Sequence, residues 1–181
     1  MPKSLKIFID KITKSIEEKN TGIIFETEVI PINSKEIEMV HRKDGWQFNW
    51  KKEFKQPYRK VYKLIIKGDN IIQGIISLMP VPRQLYIELQ LIETAPHNYG
   101  KQKQFSGVAA NMVAFACKES FESGFNGYVS FTAITKLIEH YKETLGAEII
   151  FSNRMVISTV SAEKLVNSYY SNFFNDRQGK I

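Results

Sequence analysis

Between residues 60 and 93 the chain carries three apolar, β-prone segments separated by turns too short to hold a helix. KVYKLIIK (60–67) stops at Gly68-Asp69-Asn70, IIQGIISLM (71–79) stops at Pro80-Val81-Pro82, and LYIELQLIE (85–93) follows at once. Antiparallel strands accept such turns, whereas a parallel pair needs a crossover of a dozen or more residues. The three segments therefore predict an antiparallel meander, and the rest of the fold must be built around it. Strict alternation in the third places Leu85, Ile87, Leu89 and Leu91 on one face and Glu88 on the other.

The period changes after Pro96. A polar loop from His97 to Gln104 leads into a helix predicted over about 107–122, with Gly124 where a C-terminal glycine falls. YVSFTA (128–133) reads as a strand, and 135–146 as a helix capped by Thr135, with Leu137, Tyr141 and Leu145 on one stripe. Residues 148–151 and 154–160 predict a hairpin turning at Ser152-Asn153. A last helix begins near Ser161, and 175–181 read as a frayed tail. Upstream, Leu5, Phe8, Ile12 and Ile16 recur at helical spacing and predict a helix over 5–19; 23–31 reads as a strand. In 41–60, Trp46, Phe48 and Trp50 alternate with polar residues as in a strand, and a basic run follows. A meander followed by strand, helix, hairpin and helix implies an α+β chain, with one mixed sheet and helices packed against it. A length of 181 residues suits one such domain.

Composition narrows the chemistry. The single cysteine, Cys117, allows no internal disulfide, sits among Ala114, Phe115 and Ala116, and reads as core; the expected location is cytoplasmic. No apolar run reaches the ~18–20 residues that span a bilayer. His41, His97 and His140 are isolated, so no metal is expected. The net charge of +6 favours anionic ligands such as nucleotide cofactors, although many soluble proteins carry as much.

The most informative stretch is Gln104-Phe105-Ser106-Gly107-Val108-Ala109, which follows a loop and opens a helix. A helix start offers unpaired N–H groups and the positive end of the dipole, and glycine lets an anion approach closely. This segment resembles the Gln/Arg-x-x-Gly-x-Gly/Ala signature of the GNAT superfamily of N-acetyltransferases. Downstream, Tyr141 followed five residues later by Gly146 and then Ala147 is similar to the family's tyrosine-bearing helix. The resemblance covers about residues 60–180. It implies a GNAT-like central mixed, mostly antiparallel sheet flanked by helices, and acetyl-CoA as acyl donor with its pyrophosphate on Gln104–Ala109.

Carried over residue by residue, the resemblance implies that Leu91, Ile92 and Glu93 offer backbone groups to pantetheine where two strands part, and that Tyr141 faces the thiolate. Glu93 is the first candidate for the base, Glu88 the second and His140 the third, with water as a relay. Trp46, Trp50 and Glu88 are candidates to line the acceptor site; the two tryptophans equally suit a core. The acceptor is expected to be a small-molecule or protein amine. A homodimer is compatible with the sequence, no membrane is involved, and single-stranded nucleic acid on 41–60 is the less favoured alternative. The loop before Gln104 is longer than the family's compact form, and Ile134 stands seven residues before Tyr141, where many members carry Asn. A non-catalytic GNAT-like module that binds coenzyme A or an acyl group would account for both. The transferase reading requires an open cleft; one plugged by the chain's own side chains would contradict it.

Overall fold

The computed structural model describes residues 3–179. In chain order its elements are β1 (Ile16–Glu18), β2 (Ile24–Phe25), β3 (Thr27–Pro31), α1 (Ser34–Glu38), α2 (Trp50–Phe54), β4 (Lys60–Ile66), β5 (Ile72–Val81), β6 (Tyr86–Thr94), β7 (Phe105–Ser106), α3 (Val108–Glu122), β8 (Val129–Thr132), α4 (Ile138–Leu145), β9 (Glu148–Phe151), β10 (Arg154–Ile157), α5 (Thr159–Tyr169) and α6 (Phe173–Gln178).

The meander forms as β4, β5 and β6, antiparallel throughout. Gly68 takes the left-handed conformation at the first turn, with φ 85°. The second turn falls two residues later than expected, because Pro80 and Val81 remain in β5 opposite Ile87 and Tyr86. Proline is tolerated there: β4 ends at Lys60 opposite Leu78, so Pro80 has no neighbour on that side to receive an N–H. The meander is the heart of a seven-stranded sheet ordered β3-β4-β5-β6-β8-β10-β9, antiparallel except where β6 meets β8. β1, β2 and β7 form a separate small sheet.

Neighbouring residues divide the core. Ile76 and Ile92 belong to the larger cluster under α3, whereas Ile75 and Leu91 belong to a second cluster with Trp46, Trp50, Ile37 and Val40. Successive strand residues point to opposite faces, so the two clusters lie on the two sides of the sheet. Burying a Val, Met or Phe side chain contributes about 1.5–3 kcal/mol, and α3 buries Val108, Met112, Val113 and Phe115, interspersed with four alanines that let it pack close to the sheet. Among the described residues, no helix is long and apolar enough to cross a membrane.

Four expectations are corrected. Residues 5–19 do not form a helix. They run extended along the sheet and end in β1, because Leu5, Ile9 and Ile16 find core partners while Phe8 and Ile12 stay exposed. The aromatic stretch 41–60 is not a strand: a 3₁₀ turn at Arg42–Asp44 and the short α2, capped by the Asn49 side chain on Lys52 N–H, fold it over the second cluster. Leu91 does not share a face with Ile87 and Leu89, because a bulge between Leu89 and Leu91 inserts Gln90 and reverses the alternation. Part of the supposed tail forms α6; Lys180 and Ile181 lie outside the described residues. The remaining predicted elements hold to within a few residues, although a 3₁₀ turn at Thr135–Leu137 precedes α4 and Thr135 caps nothing.

Candidate active site

β6 and β8 pair only at Ile87↔Val129 and Glu88↔Ser130, and beyond that the strands part. At the vertex the Arg154 guanidinium on β10 grips Glu88 with two bonds of 2.6 and 2.7 Å, and donates to Ser130 Oγ at 2.8 Å and Thr132 Oγ1 at 3.0 Å. Glu88 is buried. Its carboxylate fastens the vertex, so the residue proposed as an acceptor contact or base is occupied.

The α3 start lies beside the opening. Gly107 adopts φ 83°, and a Cβ on it would sit 3.0 Å from Ser15 O and 3.1 Å from Thr13 Oγ1. What comes close to this glycine is therefore the chain's own segment 13–15, held there by β1 pairing with β7. Phe105 N–H is held by Asn98 Oδ1 at 3.1 Å. Gln104 is exposed, and its backbone ties to His97 O and Lys19 N–H. Ser106 is half-buried. Gly107 N–H donates to Asp10 Oδ1 at 3.1 Å. Among the described residues, no hydrogen bond engages the N–H groups of Val108, Ala109 or Ala110. Val108 and Ala109 line a cavity of about 400 Å³, which Gln90, Leu91, Ile92 and Thr94 of β6 close on the other side. Gln47, Phe48, Tyr99 and Lys103 complete it, four residues that sequence reasoning missed.

The β8 side of the opening is filled. Leu5 lies alongside Ala133 in parallel register, with Leu5 N–H to Thr132 O at 2.7 Å and Ile134 N–H to Leu5 O at 3.2 Å. Tyr141 O–H donates to Ile7 O at 2.6 Å, and Ile9 N–H donates to His140 Nε2 at 2.9 Å. Phe8 stacks on the His140 ring, and Asp10 pairs with Lys103 at 2.7 Å. The space expected for a thioester tail thus holds residues 4–10 of this chain, leaving the cavity between them and β6.

Tyr141 is fully buried, with its ring edge-on to Phe131 at 5.4 Å. Burial raises its phenol pKa well above the ordinary value, so it stays protonated and acts as a hydrogen-bond donor. Glu93 is buried on the opposite face of the sheet from α3. Its Oε1 accepts from Gln47 N–H at 2.6 Å and Tyr99 O–H at 3.3 Å, and its Oε2 from Trp50 Nε1–H at 2.7 Å and Phe48 N–H at 3.4 Å. Four donors thus occupy the two carboxylate oxygens. Trp50 is fully buried and Trp46 nearly so, which places both in the second core cluster rather than on an acceptor surface. Cys117 is buried, and burial pushes its thiol pKa up, as suits a core residue.

His140 gives a pH prediction. Only the neutral imidazole accepts the Ile9 N–H, and burial lowers its pKa from the ordinary 6.5, against a weaker upward pull from Glu143. A depressed pKa contributes stability that is present above about 6.5 and lost as pH falls through the lowered value. The Ile9 amide should therefore exchange faster below pH 6 than at pH 7.5, after correction for intrinsic exchange, in a measurement by NMR. A corrected rate independent of pH would exclude the linkage.

No family model and no curated protein sequence matches the chain. Solved structures do. A chimera of the Vibrio cholerae spermidine N-acetyltransferase and hSSAT superposes with a TM-score of 0.55 at 14% identity, covering 77% of this chain and 99% of that one. The Vibrio cholerae spermidine N-acetyltransferase in complex with CoA and spermine gives 0.54 at 13% identity, covering 76% and 98%. The dodecameric form of that enzyme gives 0.51 at 14% identity, covering 74% and 94%. The chain has the GNAT acetyltransferase fold. In this GNAT fold the parted strands are β6 and β8, and the helix start beside them is that of α3.

Proposed function

We propose that this chain is an acyl-CoA-dependent N-acyltransferase that moves an acetyl group from acetyl-CoA to an amine by direct transfer. One observation carries the reading: Val108 and Ala109, whose amides no hydrogen bond engages among the described residues, line a cavity at the point where β6 and β8 separate. Bound there, acetyl-CoA supplies an activated acetyl thioester whose leaving group is a thiolate.

The chain's own groups then take these roles. The α3 amides, with Lys103 once it leaves Asp10, hold the anionic diphosphate. The β6 edge at Leu91, Ile92 and Glu93 offers backbone groups to the cofactor's amide-bearing arm. Tyr141 donates a hydrogen bond to the sulfur as negative charge gathers there, and its raised pKa makes that donation rather than full proton transfer. For the amine proton, His140 Nε2 is better placed than Glu93 or Glu88. Among the described residues it is engaged only by Ile9 N–H, whereas the two carboxylates are committed to Trp50 and Arg154. The acceptor class is a small-molecule amine, a reading supported by the spermine-bound structural neighbour. The dodecameric neighbour supports assembly of more than one copy.

Release of free coenzyme A from acetyl-CoA in the presence of a panel of primary amines tests the proposal. In the same assay Tyr141→Phe should lower kcat by about 100-fold, the typical loss of one preorganised donor, without weakening coenzyme A binding. Equal kcat would remove Tyr141 from the chemistry. A second reading, a GNAT-fold module without transfer activity, is favoured by residues 4–10 lying in the cleft. It predicts no release with any amine.

A further inference from the structure

Residues 4–10 contact, one after another, the groups that the acyltransferase reading assigns to the cofactor and the chemistry. Asp10 puts a carboxylate on the Gly107 amide and on Lys103, where an anion is expected. The Ile7 carbonyl takes the Tyr141 hydroxyl. The Ile9 amide occupies His140 Nε2. Leu5 pairs with the free edge of β8 at Thr132 and Ile134. An unrelated stretch of surface chain has no physical reason to satisfy all four at once.

The segment also has a natural limit. From Thr13 onward the chain is fixed: Thr13 N–H donates to Tyr169 Oη at 3.1 Å, Ser15 lies against Gly107, and β1 is paired on both edges. Lys11 and Ile12 are exposed. Release of residues 4–10 about this point would expose the buried Leu5 and Ile9 and the half-buried Ile7, free the Tyr141 hydroxyl, and leave the second core cluster intact. It would also merge the space they occupy with the cavity along β6.

We propose that residues 4–10 are an intrasteric strap, an internal competitor whose Asp10 carboxylate stands where the cofactor diphosphate binds, so that coenzyme A enters only as the strap leaves. The inference rests on the acyltransferase reading. A ligand that binds only the strap-free form has its apparent affinity reduced by the fraction of molecules in that form, and loosening the strap restores it.

The test uses the full chain and coenzyme A itself. The double variant Leu5→Ala/Ile9→Ala weakens both anchors with no change of charge near an anionic ligand, which Asp10→Ala would not achieve; the exposed Ile12→Ala is the control. Calorimetric titration should give a Kd about tenfold lower for the double variant than for the parent and the control. In hydrogen exchange of the parent, saturating coenzyme A should deprotect the Leu5 and Ile9 amides while α3 stays protected. Equal Kd values, or coenzyme A bound with the strap still protected, would overturn the strap and leave the acyltransferase reading standing. No binding to either the parent or a folded double variant would remove both, and the strap would then be a permanent part of the core.

Discussion

Glu93→Ala should destabilise the protein by about 3–5 kcal/mol, because it leaves several neutral donors without their acceptor, at about 1–3 kcal/mol for each one that stays buried and unsatisfied. The carboxylate is almost completely buried, and without it Trp50 Nε1–H and the Gln47 N–H lose acceptors at 2.7 and 2.6 Å. At about 2–4 °C per kcal/mol for a chain of this size, the melting temperature should fall by roughly 10 °C. Glu93→Gln should also destabilise, by less, because its amide nitrogen would face donors on one side. Thermal unfolding of the parent and the two variants checks this. If the melting temperatures were unchanged while turnover vanished, Glu93 would return as the base that its position at the end of the meander suggests.

Arg154→Leu should have an effect of the same order, about 3–5 kcal/mol, for a different reason. It strands the Glu88 carboxylate, whose side chain is only 3% exposed, without its partner. Replacing both, as Glu88→Leu/Arg154→Leu, should recover most of the loss, since a buried ion pair and a well-packed apolar pair are often nearly equivalent. Denaturant unfolding of the two single variants and the double variant closes the cycle; a double variant as unstable as the sum of the singles would refute the pairing. Because the pair joins β6, β8 and β10 at the last ladder position before the strands part, Arg154→Leu should also weaken ligand binding in the cleft.

Glu93 and Glu88 as read from sequence differ from what the fold shows for two reasons. Alternation along β6 places Glu88 correctly but, counted through the bulge at Gln90, puts Glu93 on the wrong face, and it carries no information on which donors the rest of the chain brings to each face. Trp50 and Arg154 lie 43 and 66 residues away. The bulge at Gln90 leaves a single trace in LYIELQLIE, the change of phase at Ile92 and Glu93, which a reading of the segment as clean alternation passes over. The tryptophans were legible as core candidates, but the strand assignment was not, because alternation over five residues is also met by a turn followed by a capped single helical turn.

By itself the amino-acid sequence determined the meander, the α3 start at Gly107, the helix end at Gly146 and the hairpin at Ser152-Asn153. These features depend on side-chain period and on residues that tolerate positive φ, and both are properties of neighbours in the chain. Tertiary structure alone decided the fate of residues 4–10. Their apolar spacing fits a helix, yet their backbone groups bond to His140, Tyr141 and Thr132, more than a hundred residues away, and those partners satisfy them in an extended form. A local pattern states which residues seek burial. Which surface offers it, and whether the segment coils on itself or lies along a parted strand, is settled by the long-range hydrogen bonds available once the sheet has formed.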